Sequence, residues 1–315
     1  MLKRILKIGG ITLGAILLLS VVLTSIFEKK IGDTIVREVQ AQMTSRLEVK
    51  DFDLSLIRSF PRVSANLEGV VVEDSRGEVL LECNKIAFRF GLFSLFGSNI
   101  SIRSVILSDG ALRVSIDDAG NGNYDIFKES EEEPDPLEET SELSLSLKEA
   151  ILQDIELIYE DESSKQSILV QVEEATFSGE VSSTKFELES TATIFSNFIE
   201  TETSRFLAGK KLGYDAKILV DLTEGTYEFH DVVLDVEDNF FRIEGLIDEE
   251  PGFTEVDLSA TIEEGSLEAI TQLLPADYLD YAGQLSSKGV FYFNATAQGR
   301  YNDRTNPAMQ VDFGL

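Results

Sequence analysis

The chain has 315 residues, 43% of them hydrophobic, and a formal charge of −30. That length allows about two domains or one elongated body, and that apolar content is ordinary for a packed protein. So acidic a surface repels phosphate backbones and excludes nucleic acid as a partner, and the single cysteine, Cys83, excludes an internal disulfide.

The acidity is uneven. Lys3, Arg4, Lys7, Lys29 and Lys30 stand against Glu28 alone within residues 1–30, so the rest of the chain carries −34. Between these basic residues lies IGGITLGAILLLSVVLTSIF, residues 8–27, without charge or proline. As a helix at 1.5 Å per residue, it covers about 30 Å, the hydrocarbon thickness of a bilayer. The basic residues before it predict a cytoplasmic N-terminus and a body on the far side. The run is longer than a signal peptide's apolar region and no A-x-A site follows, so residues 1–27 read as a cytoplasmic stub and an uncleaved transmembrane anchor.

Residues 28–48 read as a short amphipathic helix. Ile31, Ile35, Val39, Met43 and Leu47 recur every four residues on one stripe, and charges of both signs fill the other face. Mixed sign favours a helix capping the end of a β-structure over one lying on a membrane surface.

From residue 49 onward the period is two. Leu112, Val114 and Ile116 alternate with Arg113 and Ser115, and Leu143, Leu145 and Leu147 with serines. Ile168, Val170 and Val172 follow, then Ala216, Ile218, Val220 and Leu222. Next come Val232, Leu234 and Val236, then Val256, Leu258, Ala260 and Ile262, then Phe291, Phe293, Ala295 and Ala297. This pattern predicts sheet with one apolar and one wet face. Glu68-Gly69, Arg76-Gly77, Asp109-Gly110, Glu224-Gly225 and Pro251-Gly252 read as turns between strands. Only Ser266 to Leu274 reads as a further helix, stopped by Pro275. The expected count is on the order of 15–20 strands, too many for the few helices to cover, which leaves a closed barrel, a sandwich or a curled groove. Residues 128–142, KESEEEPDPLEETSE, are too acidic to pack and read as a disordered loop.

Two stretches echo each other at an offset of 45 residues. Ser101 to Ser115 (SIRSVILSDGALRVS) aligns with Ser146 to Glu160 (SLKEAILQDIELIYE), pairing Ile106 with Ile151, Asp109 with Asp154 and Leu112 with Leu157. Both read as strand, basic residue, apolar pair, Asp at a turn, next strand, which fits stacked β-units.

The stretch IDDAGNGNYDIF, Ile116 to Phe127, invites a calcium reading that its spacing defeats. With Asp117 first, Ala119 and Lys128 fall on positions that need oxygen ligands. Asp, Asn and Gly instead suit a tight reversal. His230, the only histidine, lies in a strand beside Asp231, and alternation predicts that the two point to opposite faces, so they form no dyad. Cys83 reads as a buried structural thiol. No nucleotide, zinc-protease or nucleophile-elbow motif occurs, and the expectation is a protein that is not an enzyme, with no cofactor and no metal.

The passage Gly91 to Phe127, GLFSLFGSNISIRSVILSDGALRVSIDDAGNGNYDIF, resembles the N-terminal module of AsmA-like proteins. It has a Leu-Phe-rich turn, an I-x-I strand, a strand pair split by Asp-Gly, then D-x-x-G-x-x-N-x-D as Asp117, Gly120, Asn123 and Asp125. Val49 to Asp74 and Leu273 to Tyr301 are similar to further family segments. The resemblance implies relatives of the bridge-like lipid transfer proteins, whose repeated β-units form an apolar groove. It implies a mainly β fold in which the two N-terminal helices precede an elongated, curled, groove-like antiparallel sheet. The first β-module is expected over 49–127 and the continuing groove over 143–315, the latter as a fragment truncated at its C-terminus. It implies a single-pass protein of the bacterial inner membrane with a periplasmic body, serving outer-membrane biogenesis and carrying phospholipid. Expected partners are phospholipid, the inner membrane through residues 8–27, and other envelope proteins. The expected lipid-lining residues are Leu112, Val114, Ile116, Ile168, Val170, Val172, Ile218, Val220, Val232, Leu234, Phe291 and Phe293. The alternative is a non-enzymatic scaffold for outer-membrane proteins, with the same side chains shut in a closed core.

Overall fold

The computed structural model describes residues 33, 36–37, 39–55, 62–91, 100–128, 143–180, 184–265, 291–302 and 305–314. The expected anchor over residues 8–27, most of the acidic loop, and the helix expected at Ser266 to Leu274 lie outside them. No helix among the described residues is long and apolar enough to cross a membrane.

The chain is mainly β. Its strands are β1 (Leu47–Ser55), β2 (Arg62–Glu73), β3 (Val79–Gly91), β4 (Ile100–Ile116), β5 (Leu143–Asp161), β6 (Gln166–Ser178) and β7 (Lys185–Glu200). They continue with β8 (Arg205–Phe206), β9 (Lys210–Asp221), β10 (Thr226–Val236), β11 (Asn239–Glu250), β12 (Phe253–Gly265), β13 (Phe291–Tyr301) and β14 (Ala308–Gly314). Among the described residues there are thus 14 strands, all in one sheet. The hydrogen-bonded order follows the chain from β1 to β14, except that β9 joins β7 directly and β8 hangs from β7 alone. Two of the predicted strand pairs are single long strands. β4 runs unbroken through Asp109-Gly110, and β5 through Asp154.

Two compact units divide the chain. The first comprises Met1–Ser108 and Tyr124–Ser146, the second Asp109–Asn123 and Leu147–Leu315. In the first unit β1, β2 and β3 form an antiparallel meander. Val63, Val70, Phe90 and Ile102 are almost wholly buried, so this unit has a dense core. Gly69, expected in a turn, sits mid-strand in β2 with φ of 59°. A Cβ there would stand 2.9 Å from that of Lys50 on β1, so glycine permits a kink and a close approach together. The helical turns before β1 end at Gln42, short of the expected Glu48, because Leu47 already pairs with Val72 in the β1–β2 ladder. Met43 is buried and bridges Phe127, while Thr44 N donates to Ile126 O and Lys128 N to Gln42 O. The helix end is therefore tied to the end of the IDDAGNGNYDIF stretch.

In the second unit the strands from β5 onward pair antiparallel. β4 and β5 differ. They are neighbours in the sheet, and Glu162 N, just past β5, donates to Ile116 O at the end of β4 at 3.0 Å. Two adjacent strands whose C-terminal ends meet run parallel, at an offset of 45 residues. This corrects the expectation of a purely antiparallel sheet. A parallel pair needs a crossover of about a dozen residues or more, which residues 117–142 supply.

Candidate functional site: the apolar face of the second unit

Directly opposed residues of antiparallel strands share a face, so the registers trace rows of side chains across the sheet. Val220 lies opposite Phe186 and Tyr227, and Tyr227 opposite Ile247. Ile218 lies opposite Leu188 and Phe229. Val232 lies opposite Ala216 and Ile243, and Ile243 opposite Ala260. Leu234 lies opposite Tyr214 and Phe241, whose ring meets Phe293 edge-on with centroids 6.1 Å apart. Val172 lies between Ile155 and Ile194, Val170 between Leu157 and Ser196, and Ile168 between Tyr159 and Ile199. By the 45-residue offset, Leu112 stands level with Leu157 and Val114 with Tyr159. Eleven of the twelve expected lining residues are thus described, and ten of them fall on this one face. Ile116, at the end of β4, stands level with Asp161 at its margin. The side chain of Phe291 lies outside the described residues.

Val170, Val172, Val220 and Val232 are buried, while Ile218, Phe229, Leu234, Ile243 and Phe293 are only half-buried. The middle rows of this face, from β7 to β12, carry no charged side chain among the described residues; Lys210, opposite Ser196, and Glu249, opposite Thr254, stand at its two margins. Its polar pair satisfies itself: the hydroxyls of Ser190 and Tyr214 lie 2.8 Å apart.

The opposite face is wet and cross-linked by charge. Lys217 meets Glu189 at 3.3 Å, Arg242 meets Asp231 at 3.4 Å, and Arg300 meets Glu255 at 3.2 Å. The hydrogen bond from Lys217 to Glu189 and the attraction between them raise the lysine's pKa. Solvent and salt screen exposed pairs of this kind, so they keep a surface hydrated more than they hold the fold.

His230 occupies a β-bulge: Phe229 pairs with Ile218 and Asp231 with Lys217, leaving His230 between them unpaired. Simple alternation, which predicted opposite faces for His230 and Asp231, fails there. Histidine Nε2 lies 3.4 Å from Glu228, and Asp231 is paired to Arg242. Cys83, 3% exposed in the first unit, has its pKa pushed up to about 11 by burial. Asp117 spends its carboxylate on its own turn, accepting from the amides of Ala119 and Asn121, which fits the reversal and not a cation loop. Among the described residues no group of His, Cys, Asp and Glu is placed to hold a metal.

Sequence reading missed half of this face, including Phe186, Tyr214, Tyr227, Phe229, Phe241 and Ile243. The bulge at His230 puts Tyr227 and Phe229 out of step with Val232, Leu234 and Val236, whereas Tyr214 stands just ahead of the run that was recognised from Ala216, and Phe186, Phe241 and Ile243 lie in strands where no run was recognised.

A mainly β chain with one continuous apolar face and one charged face matches the model of the AsmA family over residues 2–218. The chain belongs to the AsmA family. No curated protein matches it.

Proposed function

We propose that this protein carries phospholipid along the apolar face of its second unit, as an inner-membrane-anchored periplasmic component of outer-membrane biogenesis. The observation that carries the reading is the pairing of Leu234 with Tyr214 and Phe241, and of Val232 with Ala216 and Ile243, in apolar rows crossing several strands with many side chains half-buried. Family membership supports the cell-envelope setting.

An acyl chain gains about 0.8 kcal/mol for each methylene taken from water, in a bilayer or on such a face alike. Sliding from row to row exchanges like for like, so movement needs no covalent chemistry, and the protein acts without being an enzyme. Residues 8–27 hold the body to the membrane that supplies the lipid. Other envelope proteins are its further partners.

The test places a photo-reactive amino acid at Leu234 and, separately, at Glu244 on the charged face, in the full chain within cell membranes. Phospholipid adducts at Leu234 and not at Glu244 are expected. Equal labelling at both, or none at Leu234, defeats the proposal and favours a scaffold with a closed core.

A further inference from the structure

We propose that the hydroxyl of Tyr214 binds the ester carbonyl of an acyl lipid and so makes the apolar face selective for acyl esters; the inference rests on the reading that this face carries lipid. Tyr214 stands in β9 between Ala192 and Leu234, and Ser190 stands in β7 opposite Ala216. The two are diagonal neighbours, within reach of an aromatic side chain. Ala192 and Ala216, the other corners of that square, are short, and the phenol reaches across to Ser190, with 2.8 Å between the hydroxyl oxygens. Each oxygen thus has a partner, but the bond uses one hydrogen of the two that the pair carries. Among the described residues no other group accepts the second. Ser190 is 4% exposed and Tyr214 half-buried, so the arrangement with an outlet has Ser190 donate to Tyr214 and Tyr214 turn its own O–H outward.

An O–H in such a place selects its ligand. While the face is open, water accepts from it. Lipid that covers the face drives that water off, and a donor then left without an acceptor costs its desolvation. A hydrocarbon tail offers no acceptor. A phosphate oxygen would accept, but phosphate is ionised, and among the described residues the middle rows from β7 to β12 hold no cation to meet it. The ester carbonyl is a neutral acceptor at the head of each acyl chain, and it enters an apolar row at far smaller cost once it is hydrogen-bonded. Tyr214 is therefore a fixed point on a face that is otherwise level for hydrocarbon. Lipid slides until a carbonyl meets the phenol, and it leaves for the worth of one neutral hydrogen bond, so movement is paused and not stopped.

The test offers the purified full chain, in mild detergent, an equimolar mixture of a diacyl phosphatidylethanolamine and its dialkyl ether analogue. The two share headgroup and chain length and differ in the carbonyl alone. Bound lipid is extracted and both species are counted by mass spectrometry. The ester is expected to exceed the ether by about fivefold or more, because the ether leaves the donor unpaired. Tyr214→Phe is expected to bring the ratio to about one, and so is Y214F combined with Ser190→Ala, which strands no hydroxyl in the fold. A merely structural role for the pair would lower uptake of both lipids together and leave the ratio in place. Equal uptake of ester and ether by the unaltered chain, or a preference that survives in the double variant, overturns the proposal while lipid carriage stands. Uptake of neither lipid overturns both.

Discussion

Asp109 on β4 and Asp154 on β5 stand side by side in neighbouring parallel strands, and both hold a left-handed backbone, with φ of 55° and 52°. The 45-residue offset that aligns their sequences is also the register that the Glu162–Ile116 hydrogen bond sets between the strands. Each residue of one echo thus lies against its counterpart in the other. The left-handed residue has a purpose in β5: Leu152 pairs with Ala175 and Ile155 with Val172, three positions apart yet on one face. The left-handed backbone at Asp154 accompanies that spacing, while the β5–β6 register runs on without a shift.

Asp and Asn tolerate this conformation better than other residues with a side chain, and β-branched residues tolerate it worst. Asp109→Val and Asp154→Val are each expected to cost about 1–2 kcal/mol of stability. Asp→Gly at either site is expected to be neutral or stabilising. The midpoint of urea unfolding measures both, and the double Val variant is expected to depart from additivity because the sites are neighbours.

Gly245 on β11 presents a harder constraint. Its φ is 139°, and a Cβ would lie 2.0 Å from the carbonyl oxygen of Asp257 on β12. Because that neighbour is backbone, it cannot swing aside. Gly245→Ala is expected to lose about 3 kcal/mol or more. The loss appears in thermal unfolding and in faster amide exchange along the ladder from Arg242 to Glu250, the pairing partners of Thr261 to Phe253.

The strands were legible where alternation ran undisturbed and illegible where a bulge reset it. Ile168, Val170 and Val172 could be read as one face, but Glu173 is a bulge residue, so Ala175 continues that face out of step. His230 does the same between Phe229 and Val232, which is why Val232, Leu234 and Val236 were recognised and Tyr227 and Phe229 were not. Glycine and aspartate were ambiguous for a related reason. Gly77, Gly225 and Gly252 do mark turns, with φ of 84°, 72° and 89°, whereas Gly69 and Asp109 use the same backbone region mid-strand. Positive φ is legible from residue type, but whether it reverses the chain depends on partners far away in sequence. Parallel pairing of β4 and β5 was invisible, since an echo reports likeness and not adjacency.

Cys83 makes a chemical prediction. A thiol titrating at about 11 instead of 9 holds about 100-fold less thiolate at pH 8, and it is the thiolate that reacts. Maleimide is expected to leave the folded chain unlabelled over hours and to label it at once in urea, as read by intact mass. The sign for stability follows from the same shift. Below pH 9 the thiol is neutral in folded and unfolded chains alike and pH has no effect through it. Between about 9 and 11 only the unfolded chain ionises, so stability falls as pH rises. Cys83→Ala is expected to remove that alkaline component while costing packing at neutral pH.

The apolar face gives the most direct functional prediction. Leu234 is half-buried between Tyr214 and Phe241, so its end reaches the surface where cargo is proposed to lie. Leu234→Arg puts a guanidinium there, with no carboxylate on the adjoining rows of Tyr214, Ala216, Phe241 or Ile243 to pair with it. A charge against an acyl chain costs several kcal/mol unless it finds water, so bound phospholipid is expected to fall about tenfold or more. Arg242→Ala, one position along β11 from Leu234's partner Phe241 and on the charged face, removes an exposed pair with Asp231 and is expected to leave bound lipid unchanged. Phospholipid extracted per mole of purified chain, quantified by mass spectrometry, separates the two. Equal loss in both variants would mean that lipid follows general destabilisation, and equal retention would mean that it rests elsewhere on the chain.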